Sequence, residues 1–182
     1  AFSQAFVPVL SEYRTKRELL EVRLLVSHTA GSLGGVLMLV TLVCVAFAPQ
    51  VTYLFAPGFR EATEKFDLAA DMLRLTFPYL LLISLTGFVG SILNSYGRFG
   101  VPAFTPVLLN VVLILSAIFL SPFVDPPVVA LAWGVLMAGV VQLVFQLPYL
   151  RPIGLLVRPR WGWQDPGVKR ILKLMVPALF GV

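Results

Sequence analysis

Side chains able to do chemistry are scarce in this chain, and most of the charged ones are cationic. The 182 residues include one cysteine, Cys44, and one histidine, His28. That leaves no disulfide framework and no His- or Cys-based metal cluster. No Gly-rich phosphate loop, metal motif or nucleophile–base pair is present. The expectation is a protein without an enzymatic activity, a cofactor or a bound metal. The chemistry open to it is recognition by positive charge and hydrogen bonds, carried by a few side chains beside helix breakers. Asn94, Ser95 and Arg98 form one such group. Thr76 lies beside Pro78, Asn110 follows Pro102 and Pro106, and Gln142 and Gln146 precede Pro148. A proline frees a backbone carbonyl that needs another partner, which suits helices lining a cavity and equally suits plain packing. His28 reads as an interfacial residue at a helix start rather than a proton carrier, and Cys44 as a small apolar filler.

The elements that position these residues follow from hydropathy. The chain is 58% hydrophobic and 13% charged, the latter about half the share usual for a soluble domain. Its mean hydropathy is +0.90. Residues 24–59, 75–97, 99–124 and 126–150 lack Asp, Glu, Lys and Arg altogether. About 20 helical residues cross a hydrocarbon core, so each stretch is long enough. The fold class is therefore all-α, a polytopic transmembrane helix bundle. Complete spans are expected near 27–48, 75–96, 104–121 and 128–148. The last three are joined by short spacers, which makes them antiparallel neighbours. Partial spans are expected at 1–10 and 171–182, so that 1–182 reads as an internal piece of a larger membrane protein. Gly31 with Gly35, and Ala130 with Gly134 and Ala138, are small residues four apart that allow close approach, either within the chain or in a dimer.

Charge orients the spans. Loops around residues 12–23, 98 and 151–173 hold eleven of the fourteen basic residues. The loop at 60–74 is mixed, and the loop at 125 carries Asp125 alone. The positive-inside rule assigns the basic loops to the cytoplasm and the other two to the outside. Trp161 and Trp163 suit a membrane interface. The basic loop at 151–173 obeys that rule, and it also has the composition to bind anionic lipid headgroups or to dock a partner. The net charge of +5 does not point to nucleic acid in so apolar a chain.

Seven segments stand out along nearly the whole chain: AFSQAFVPVLSEY at 1–13, APGF at 56–59, TFPYLLLIS at 76–84, ILNSYGRF at 92–99, VPAFTPVLLN at 101–110, PPVVALAW at 126–133 and QLVFQLPYL at 142–150. In this order they resemble the lipid II flippase (MurJ, or MviN) family, of the superfamily of multidrug, oligosaccharidyl-lipid and polysaccharide exporters. The first and the fourth are the most specific. The resemblance implies part of the N-terminal lobe of a two-lobe transporter, from the end of the second helix to the start of the seventh. It implies the bacterial inner (cytoplasmic) membrane. The implied substrate is lipid II, the undecaprenyl-pyrophosphate-linked peptidoglycan precursor, moved by alternating access. It implies a substrate path in which Ser3 and Gln4 make polar contacts near the cavity, Asn94 and Arg98 help form a cytoplasmic gate, and Asn110 bonds within the bundle or to substrate. Implied partners are lipid II, membrane lipids and other cell-wall synthesis proteins. Competing readings are an exporter of another lipid-linked sugar or a drug, and a non-transporting scaffold for cell-wall synthesis.

Overall fold

The computed structural model describes residues 2–59, 61 and 63–181. Among these the only regular structure is helical, with four helices long and apolar enough to cross a membrane. In chain order the helices are α1 (Phe2–Lys16), α2 (Leu19–Ala46), α3 (Ala48–Phe55), α4 (Thr63–Ser95), α5 (Gly100–Leu115), α6 (Val129–Gln146) and α7 (Pro166–Leu179). A π-helical turn, Ser116–Leu120, and a 3-10 turn, Ser121–Phe123, prolong α5.

The helices do not stop where the charge-free stretches stop. Thr63–Arg74, read from its charges as a loop, is the first third of α4. Glu64, Lys65, Leu68, Ala69, Ala70 and Met72 are good helix formers, and water tolerates the charged side chains of a helix that outruns the apolar layer. Asp71 and Arg74 pair across one turn at 3.0 Å. Likewise α2 begins at Leu19, leaving a short break after α1 in place of a loop over 12–23. Beyond α2 lies the unanticipated short helix α3, which restarts at Ala48 with Pro49 in its first turn, where a missing N–H costs nothing.

The chain divides into two compact units. One comprises Ala1–Val36, Ser84–Phe104 and Leu143–Val182, and the other Leu37–Ile83 and Thr105–Gln142. The first therefore contains all three basic loops, and the second the loops at 60–74 and 125.

The first unit has the chain's main buried core. Ala5, Phe6, Val9 and Leu10 fall on one face of α1, and Phe88, Val89, Ile92 and Leu93 repeat that spacing on α4. Phe6 and Phe88 meet with ring centroids 5.0 Å apart, and Phe2 stacks on Phe6 at 5.6 Å. Val22, Leu25 and Val26 of α2, Leu150 and Leu155 after α6, and Ile171 of α7 complete the cluster. In the second unit close packing depends on missing side chains. A Cβ at Gly134 would come 2.7 Å from Ser116 Oγ, and one at Gly139 would come 2.9 Å from the Tyr79 ring. Gln142 Nε2 donates to the Thr105 carbonyl at 2.9 Å, tying α6 to α5. Such small-residue contacts and interhelical hydrogen bonds hold helices together where lipid removes the hydrophobic drive. The outward faces stay apolar and exposed, as at Leu39, Leu42, Ile114, Ile118 and Phe119.

Candidate functional site

Polar groups gather where α1 meets the last turns of α4. Ser91 donates its single hydroxyl proton to the Gly87 carbonyl at 2.8 Å. Ser3 is therefore the donor in the 2.8 Å bond between the two hydroxyls. Near the other end of α1, the Arg14 guanidinium donates to the Ser95 carbonyl at 2.5 Å and lies over the Tyr96 ring at 4.0 Å. It thus caps α4 with positive charge where helix carbonyls are left without partners.

Asn94 and Arg98 belong to the turn that ends α4. Gly97 takes φ +75°, its N–H bonds the Asn94 carbonyl at 3.1 Å, and the Arg98 N–H bonds the Leu93 carbonyl at 2.8 Å. This double bond pattern is the Schellman motif, which needs a left-handed residue at the position Gly97 occupies. It fixes the backbone of Arg98, whose side chain is exposed and has no ion-pair partner among the described residues. The Asn94 side chain is exposed as well. Gln4 is exposed in a groove of about 590 Å³ between α1 and α7, lined also by Arg170 and Leu174. Arg170 pairs there with Glu12. Ser3, Gln4, Asn94 and Arg98 all belong to the first unit. Asn110 belongs to the second, exposed on α5. Arg14 was legible only as a loop charge. Its spacing carries one further signal, because eleven residues are about three helical turns and place it on the face of Ser3.

A second polar assembly joins α2 to the segment before α7. Ser27 Oγ donates to the Arg158 carbonyl at 2.5 Å, and the Arg160 N–H donates to the Ser27 carbonyl at 3.0 Å. The Gly162 N–H reaches Ser32 Oγ at 3.3 Å. His28, expected at a helix start, lies well inside α2, which begins at Leu19. Its Nδ1–H donates to Asp165 Oδ2 at 2.6 Å, while Asp165 Oδ1 caps α7 by accepting from the Gly167 N–H at 2.7 Å. The Gly31 and Gly35 pair receives this segment rather than another helix. A Cβ at Gly31 would collide with the Arg160 backbone, and one at Gly35 would come 2.5 Å from the Trp161 ring. Trp161 stacks on Trp163 at 5.6 Å.

Long apolar helices, glycine-mediated packing and basic loops gathered in one unit define a multi-pass, all-helical membrane protein. A family model described as lipid II flippase MurJ matches residues 1–182. A probable lipid II flippase MurJ of Vibrio cholerae is 49% identical, over 100% of this chain and 36% of its own length. One of Haemophilus influenzae is 44% identical, over 100% of this chain and 37% of its own length. A lipid II flippase MurJ of Burkholderia cenocepacia is 41% identical, over 100% of this chain and 36% of its own length. The chain belongs to the lipid II flippase MurJ family, and it spans little more than a third of the length of these relatives.

Proposed function

We propose that this chain serves in the transmembrane movement of lipid II, as part of the N-terminal bundle of a flippase in the bacterial inner membrane. The observation that carries this reading is the match, over all 182 residues, to a family named for that activity. A flippase breaks no covalent bond. It needs a path for a charged headgroup through the hydrocarbon layer and helices able to rearrange around it. Prolines inside α1, α4, α5 and α7, at Pro8, Pro78, Pro106 and Pro177, and the π-helical turn after α5 interrupt regular hydrogen bonding. These are the places where helices bend.

In this reading Ser3 and Gln4 offer polar contacts to the moving headgroup. Asn94 and Arg98 form a cytoplasmic gate whose backbone is set by the turn at Gly97, with Arg14 holding that turn to α1. Arginine suits the task because its planar fork matches the oxygens of a pyrophosphate. Asn110 contributes a hydrogen bond along the path. Other cell-wall synthesis proteins are partners at the membrane face.

The test is depletion of the protein carrying this chain, followed by an assay of lipid II exposure in the outer leaflet. Exposure is expected to fall and to return on re-expression. Unchanged exposure removes the function. If the wild type restores export, Arg98→Glu is expected not to, and full rescue by Arg98→Glu removes the gate role.

A further inference from the structure

The arginines of the described chain fall into two sets. Arg14, Arg17, Arg74 and Arg170 each have a carboxylate, carbonyl or aromatic partner. Arg23, Arg98, Arg151, Arg158 and Arg160 have none among the described residues, and three of these, Arg23, Arg158 and Arg160, line one groove of about 490 Å³. No carboxylate lines it.

A helix face and the bonds it makes to a neighbouring segment bring them together. On α2, Arg23 and Ser27 are one turn apart and share a face. In the irregular segment opposite, Arg158 and Arg160 both line the groove. The bonds from Ser27 to Arg158 and Arg160 lock the two backbones in register. The glycine at position 31 lets the segment lie directly on the helix. Leu20, Leu24 and Leu156 also line the groove and are 66%, 40% and 41% exposed. Three unpaired guanidiniums beside exposed leucines match a molecule with an anionic head and an apolar tail. The groove lies in the unit that collects the basic loops.

We propose that this groove is a binding site for the phosphate group of an anionic phospholipid from the leaflet facing the basic loops. The guanidiniums hold the phosphate oxygens, and the acyl chains lie over Leu20, Leu24 and Leu156. The site is separate from the Ser3 and Arg98 groups of the substrate path.

The protein carrying this chain, purified in neutral detergent, is titrated with phosphatidylglycerol and read by native mass spectrometry. A juxtamembrane cation contributes about 5-fold in affinity for an anionic lipid, so the triple variant Arg23→Gln, Arg158→Gln and Arg160→Gln should lose about 100-fold. The control triple Arg151→Gln, Lys169→Gln and Lys173→Gln removes the same charge outside the groove and should lose less than ~10-fold, because only cations that touch the phosphate contribute fully. Equal losses in the two variants overturn the site. So does equal retention of phosphatidylcholine and phosphatidylglycerol by the wild type. Displacement of phosphatidylglycerol by equimolar inorganic pyrophosphate makes the occupant a soluble anion and overturns the lipid assignment. Should the triple variant fail to fold, Arg160→Gln alone carries the comparison against Arg151→Gln alone. An unchanged affinity relative to that control overturns the proposal.

Discussion

At position 31 the fold has room for a hydrogen atom and nothing larger, because the Arg160 backbone occupies the place of a Cβ. Gly31→Leu should therefore lift the 158–165 segment off α2, at a cost of about 1–3 kcal/mol, typical of overpacking. Limited trypsin digestion checks this. Cleavage after Arg160 should accelerate in the variant, whereas cleavage after Arg158, which precedes Pro159, should not. Asp165 serves two donors at once, the His28 ring and the Gly167 N–H. Asp165→Ala should destabilise the protein by about 2 kcal/mol, from the lost helix cap and the lost bond to His28. Asp165→Asn keeps a cap acceptor and should cost less, which thermal unfolding of the three proteins would show. These roles were only partly legible in the sequence. Two glycines four apart announce a close approach but not what approaches, and a helix–helix contact was the expectation. His28 and Asp165 are 137 positions apart, so no local pattern could pair them. Arg14 was hidden for a different reason, since a cation at a helix end satisfies the positive-inside rule without revealing its partner.

At the scale of elements, the end of α4 depends on one dihedral angle. Gly97 at φ +75° closes the turn that places Arg98, and a side chain there costs about 1–2 kcal/mol in the left-handed region. Gly97→Ala should lower the unfolding midpoint, and Gly97→Asn should lower it less, since asparagine visits that region more readily. If the proposed gate is correct, Gly97→Ala should also slow export more than its stability loss alone accounts for, as judged against Asp165→Asn at matched expression. The existence and type of the long helices were readable from hydropathy. Their ends were not, because a hydropathy window reports the lipid layer and a helix obeys its own hydrogen bonding. The 60–74 segment shows the difference, being charged enough to look like a loop yet built from helix formers. The short α3 and the π-helical turn at Ser116–Leu120 leave no mark in composition at all.

At the scale of the whole molecule, the charge pattern and the packing group the same loops. Charge alternation along the sequence assigns the loops around residues 12–23, 98 and 151–173 to one side of a membrane. Contacts in the structure collect those same three loops into one compact unit, and the loops at 60–74 and 125 into the other. Successive membrane-crossing helices put alternate loops at the same end, so the packing groups the loops, and the assignment of the basic group to the cytoplasm rests on the positive-inside rule and is the proposal to test. The lone Cys44 makes the test clean. In a Cys44→Ala background, Glu61→Cys and Gln164→Cys each place one thiol at an exposed position in a different unit. A membrane-impermeant maleimide added to cells with a permeabilised outer membrane and an intact inner membrane should label position 61 and spare position 164. Opening the inner membrane should make both reactive. Labelling of position 164 alone would invert the topology, moving Arg98 and the Arg23 groove to the outer leaflet. The gate and the lipid site would then both lose their footing.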